Sequence, residues 1–264
     1  MEMTNSSSKT KGNYASVNGI SMYYEMHGEG FPLVLIHGGG STIYTSFGRI
    51  LPHLAKNHKV IAVELQAHGH TGDREAPESF EQDANDVAEL LRQLDIPKAD
   101  IFGFSNGGQT ALELGIRHAE KVNKLVIASA FYKREGAFEG FWHGFEGATL
   151  NNMPQLYRDE YLKITGDPAR LQNMFNKDVQ RMREFKGWSD EEIKSIQAPA
   201  FILSGNHDVA TLEHTVEMYR TLPNATLAIL PGNHGSYMGE ASTPDVDNKT
   251  IKHFASMVDA FLAG

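Results

Sequence analysis

Apolar residues follow two rhythms along this chain. From Tyr14 to Val17, and again from Ile20 to Met26, they alternate with polar ones, and Asn18-Gly19 lies between the two runs. Alternation predicts half-buried strands, and Asn-Gly between them predicts a hairpin. Short, mostly apolar runs follow at Pro32–Ile36, Lys59–Leu65, Asp100–Phe104 and Lys124–Ala128, with Ala200–Ser204 and Ala225–Leu230 late in the chain. These predict strands buried on both faces. Between them the period lengthens. Phe80, Ala84, Val87, Leu91 and Leu94 recur at spacings of four, three, four and three, one face of a helix that Ile96-Pro97 should stop. Further helices are predicted over Gln109–His118 and Leu212–Leu222. A C-terminal helix carries Ile251, Phe254, Met257, Val258, Phe261 and Leu262 on one side.

Strands alternating with helices predict an α/β fold: a mostly parallel, doubly wound sheet of about eight strands, with helices on both faces. One stretch breaks the alternation. Residues 131–197 show no strand pattern, yet hold eleven of the chain's twenty-five aromatic residues. They predict a helical insertion, a lid over the C-terminal edge of the sheet. The expected organisation is therefore a disordered tail over 1–13, a core made of 14–130 and 198–264, and a lid over 131–197.

Composition narrows the function. Across 264 residues, 24 Lys and Arg face 33 Asp and Glu, a net charge of −9. Nucleic acid and anionic membrane surfaces both want a basic face, so neither is an expected partner. The chain has no cysteine, which removes disulfides, thiolate metal sites and a cysteine nucleophile, and fits a reducing compartment such as the cytoplasm. The polar opening residues MEMTNSSSKTKGN lack the apolar core of a signal peptide.

The segment Gly103-Phe104-Ser105-Asn106-Gly107 has the pattern G-x-S-x-G between a predicted strand and a predicted helix. In that context a sharp turn lifts the serine hydroxyl clear of the sheet, and the helix N-terminus favours developing negative charge. A serine needs a base, and the base needs an orienting acid. Asp208 and His234 both follow predicted strands, at the same sheet edge as Ser105, and in the order such sites use. His207 is a rival base and Glu135 a rival acid. His37-Gly38-Gly39-Gly40 follows another strand, and its small residues let backbone N–H groups face an oxyanion. His68-x-His70 has the look of a metal pair, but no third ligand is placed near it, so no metal is expected.

Together HGGG at 37–40, GFSNGG at 103–108, GNHD at 205–208 and PGNH at 231–234 resemble the α/β-hydrolase family, in its branch with a helical lid. The resemblance runs over about residues 14–263. It implies Ser105 as nucleophile, Asp208 as acid, His234 as base, and an oxyanion hole from the backbone N–H of Gly39 and Asn106. Gln66–Thr71 resembles the family's loop after the fourth strand, with Ala67 where glycine is usual. No cofactor is implied. The expected reaction is hydrolysis of a small carboxylic ester or lactone. Carbon–carbon bond hydrolysis, perhydrolysis and a ligand receptor on the same fold are alternatives. Phe138, Phe141, Trp142, Phe145 and Phe185 are expected to line an acyl or leaving-group pocket.

Overall fold

The computed structural model describes residues 12–264. The expected tail over 1–13 falls almost wholly outside them. Asn13, assigned to that tail, instead opens the first strand, because it pairs with Tyr24 across the hairpin.

Among the described residues, eight strands form one sheet in the order β1-β2-β4-β3-β5-β6-β7-β8. β1 (Asn13–Val17) and β2 (Ile20–His27) make the hairpin, turned by Asn18 and Gly19 at φ 41° and 88°. β2 also runs antiparallel to its other neighbour; the remaining pairings are parallel. β3 (Phe31–Ile36) leads through two short helices, α1 (Ile43–Phe47) and α2 (Leu51–Leu54), into β4 (His58–Val63). These two helices are absent from the sequence pattern, since four or five residues cannot display a 3.6-residue period. Then come α3 (Phe80–Gln93), β5 (Ala99–Phe104), α4 (Asn106–Arg117) and β6 (Val122–Ala128). α3 ends short of Ile96-Pro97 because Asp95 takes φ 55° and breaks the helix first.

Residues 131–197 carry α5 (Gln155–Thr165), α6 (Pro168–Glu184) and α7 (Asp190–Ser195), with 3₁₀ turns before them and no strand. The chain returns to the sheet through β7 (Ala200–His207), α8 (Leu212–Thr221), β8 (Ala225–Asn233) and α9 (Asn248–Ala263).

Side-chain alternation along the buried strands divides the core in two. On β3, Val34 and Ile36 face α3 and α4, whereas Leu33 and Leu35 face α1, α2 and α9. The segment between β6 and β7 is not uniform. Met153, Tyr161, Leu171, Met174 and Phe175 gather into a small core of their own with Ala67. Ile193 and Ile196, by contrast, are fully buried in the main core. The end of the expected insertion is thus continuous in packing with the sheet.

The segment is pinned over the loop after β4. Tyr161 Oη donates to Ala67 O at 2.7 Å, Arg170 reaches Thr71 O at 3.0 Å, and Lys177 pairs with Asp73 at 2.7 Å.

Candidate active site

Ser105 stands at the end of β5 with φ 54° and ψ −125°, a conformation that costs an L-residue roughly 1–3 kcal/mol. Its flanking glycines make the turn possible. A Cβ on Gly103 would lie 2.0 Å from Gly107 O, and one on Gly107 would lie 2.0 Å from Ile36 O. The helix starts immediately after the serine, at Asn106 rather than Gln109, so the first free amides of α4 lie beside the hydroxyl.

Asp208 follows β7 and His234 follows β8. His234 Nδ1 lies 2.6 Å from Asp208 Oδ1. An ionised carboxylate only accepts, so this nitrogen carries the proton and Nε2 is left with its lone pair. Asp208 also accepts from Val209 N at 2.7 Å, Gly205 N at 2.8 Å and Ser129 Oγ at 2.5 Å. Burial alone would raise its pKa. The His234 contact, Ser129 and the Gly205 amide outweigh burial and hold the carboxyl below its ordinary range. Since Ser129 gives its proton to Asp208, the Tyr237 hydroxyl donates to Ser129 in turn, at 2.6 Å. Ser129 and Tyr237 carry no motif in the sequence; the signal that could have found Ser129 is its place at the end of β6, on the same sheet edge.

Ser105 and His234 line one cavity of about 400 Å³. Among the described residues no hydrogen bond joins the Ser105 hydroxyl to His234; the two share the cavity wall. The rivals stand elsewhere. His207 and Glu135 are both exposed, and neither lines the cavity.

Gly39 and Asn106 both line the cavity next to Ser105. Among the described residues their backbone N–H groups donate to no protein acceptor. His37 is locked beneath them: its Nδ1 donates to Gly38 O at 2.7 Å, and its Nε2 accepts from Leu65 N at 3.0 Å. Burial, and then the neighbouring His68, push its pKa down to about 3, so it is neutral.

Of the five aromatic residues expected in the pocket, Phe141 and Phe145 line the cavity. Phe138 does not: it is 46% exposed. Trp142 and Phe185 do not line it: they stack 6.0 Å apart and pack with Phe80 in an aromatic cluster that reaches the wall through Phe131 and Phe141. Met153, Met174, Met182 and Val209 complete much of the apolar surface instead. Met174 and Met182 were not legible because helix periodicity marks an apolar face without saying what it faces, and Met153 and Val209 lie outside the helices and strands, where no period marks them.

His68 and His70 point to different partners. His70 Nδ1 meets Glu64 at 2.9 Å, while His68 Nδ1 donates to Gln66 O at 2.8 Å.

Residues 32–151 match the family model described as alpha/beta hydrolase fold. Over 258 residues, 90% of this chain and 84% of the relative, the sequence is 30% identical to serine hydrolase BPHL of Homo sapiens. In structure the chain is similar to a meta-cleavage product hydrolase from Pseudomonas fluorescens, with TM-score 0.79, 24% identity, and 96% and 97% of the two chains covered. It is also similar to an enol-lactonase from Burkholderia xenovorans, with TM-score 0.73, 22% identity, and 96% and 100% covered.

Proposed function

The chain belongs to the α/β-hydrolase family, and from that premise we propose that it is a serine hydrolase acting on a small carboxylic ester or lactone. One observation carries this reading: Ser105, on its strained turn, lines the same cavity as His234, whose other ring nitrogen is held by Asp208. His234 Nε2 takes the hydroxyl proton as Ser105 Oγ attacks the acyl carbon. Asp208 keeps the ring in that tautomer and stabilises its cation. The amides of Gly39 and Asn106 meet the oxyanion. His234 then protonates the leaving oxygen. Water, deprotonated by the same nitrogen, resolves the acyl-enzyme and returns Ser105.

The cavity wall favours a neutral substrate. Among its described lining residues there is no Lys or Arg, and Asp178 is its one acidic side chain. Residues 131–197 act as the lid that supplies Phe141, Phe145, Met153 and Met174 to the acyl pocket. The solved structures similar to this chain are named for different reactions, so ester, lactone and diketone substrates belong in one panel.

Ser105→Ala tests the reading. Turnover of short acyl esters is expected to fall by roughly 10³-fold or more with the fold intact, and fluorophosphonate labelling to vanish. An alanine variant that keeps near-full esterase activity would overturn the assignment.

A further inference from the structure

Behind the oxyanion loop lies a charged cluster that the reaction above does not use. Asp178 and Arg181 sit three residues apart on α6, on a face otherwise built from Met174, Phe175, Val179 and Met182. Arg181 is buried. It donates to Asp83 at 2.7 Å and to Asp178, and lies over the Phe80 ring at 4.8 Å.

Asp178 touches both halves of the oxyanion site. Its Oδ1 is 3.5 Å from Asn106 Nδ2, and its Oδ2 is 3.4 Å from His68 Nε2. The Gly40 N–H faces it as well. A Cβ on Gly39 would lie 2.4 Å from Asn106 Nδ2 and 2.9 Å from Asp178 Oδ2, so glycine there is what lets the carboxylate and the loop meet. Gly40 N also approaches His68 Nε2 at 3.2 Å. Because His68 Nδ1 already donates to Gln66 O, Nε2 has one choice. With a lone pair it accepts from Gly40. With a proton it donates to Asp178, and the Gly40 amide turns to the carboxylate.

We propose that Asp178, acting with His68, is a positioning residue that ties Gly39–Gly40 and Asn106 into one oxyanion geometry, so that α6 completes the site it covers. The inference rests on the reading of Gly39 and Asn106 as oxyanion donors. At neutral pH the imidazolium form holds. Burial disfavours it, but the hydrogen bond and charge of Asp178 outweigh burial and raise His68 to about 9. The other groups facing His68 do not reverse this. His37 is neutral, and Glu78, whose carboxyl burial holds above its ordinary range, favours the charge on His68 whenever it is ionised. Arg181 opposes the charge on His68 but is itself engaged by Asp83 and Asp178.

The test compares wild type, Asp178→Asn, His68→Gln and His68→Leu on p-nitrophenyl butyrate, with fluorophosphonate labelling and histidine-ring NMR. Asp178→Asn is expected to lower kcat by about 10–100-fold with KM within about threefold, since a misplacement near 1 Å can cost about 10²-fold. In that variant His68 becomes neutral at pH 7. His68→Leu falls similarly. His68→Gln, whose amide serves both partners, restores most of kcat and removes the wild type's loss of activity as pH rises through about 9. If Asp178→Asn does not fold, the two His68 variants decide alone. Wild-type protein that labels at Ser105, with His68→Leu or Asp178→Asn matching its kcat, overturns this inference only. Wild-type protein that neither labels nor turns over ester overturns the parent reading, and this inference with it.

Discussion

The turn at Ser105 and the segment above it reach order by opposite routes. The turn is dictated by backbone: two glycines without room for a Cβ, a serine at positive φ, and a helix that begins at the next residue. The covering segment is dictated by side chains: aromatic and methionine packing around α5 and α6, plus a buried ion cluster. Backbone requirements leave short, dense motifs in sequence. Side-chain packing leaves only apolar residues whose partners are chosen by the fold. In the function proposed above, chemistry belongs to the first region and substrate preference to the second.

The sharpest way to break this contrast is at Gly107. A methyl group there would lie 2.0 Å from Ile36 O, a backbone atom that cannot swing away. Gly107→Ala is expected to yield protein that does not fold, or whose Tm falls by more than ten degrees, checked by circular dichroism. A Tm close to wild type would show that the turn is less constrained by backbone than its geometry indicates.

Next in size is Asp208→Asn. Turnover should fall by roughly 10³–10⁴-fold with Ser105 and His234 still in place, because the ring adopts the wrong tautomer. Stability gives a second readout. Asp208 titrates in the folded protein below its ordinary value, so its ionised form contributes stability above about pH 4, and that contribution is lost as pH falls through the folded value. The Tm difference between wild type and variant should accordingly shrink in acid. A difference constant from pH 7 to pH 3 would count against a specially stabilised carboxylate.

Effects in the covering segment should be smaller and should act on selectivity. Phe145→Ala enlarges the cavity and is expected to shift the kcat/KM ratio between a hexanoyl and an acetyl ester by about 10-fold or more toward the longer chain. An unchanged ratio would remove Phe145 from the acyl pocket. Smallest is Phe138→Ser. That side chain is 46% exposed and outside the cavity, so Tm should shift by at most two degrees and the ratio should not move. A clear change in selectivity would place Phe138 in contact with substrate.

The same contrast explains what was legible. The eight strands announce themselves through apolar runs and alternation, and Ser105, Asp208 and His234 through where those strands end. α1 and α2 are too short to carry a period. Phe138 and Phe141 are indistinguishable as letters three residues apart, yet one faces solvent and the other the cavity. Asp178 and Arg181 did leave a trace, as a charged pair on an otherwise apolar helical face. Their partner His68 lies far back in the sequence, and only the docking of α6 brings them together.

The positive φ of Ser105 also bears on how this protein responds to engineering. Glycine is the residue that adopts such backbone angles at least cost. A library selected for heat resistance alone should therefore drift toward Ser105→Gly, gaining a few degrees of Tm while losing the hydroxyl. If Ser105 is the nucleophile proposed above, thermostable variants of this chain need a turnover screen at every round, because at this position the most stable residue and the proposed nucleophile are different.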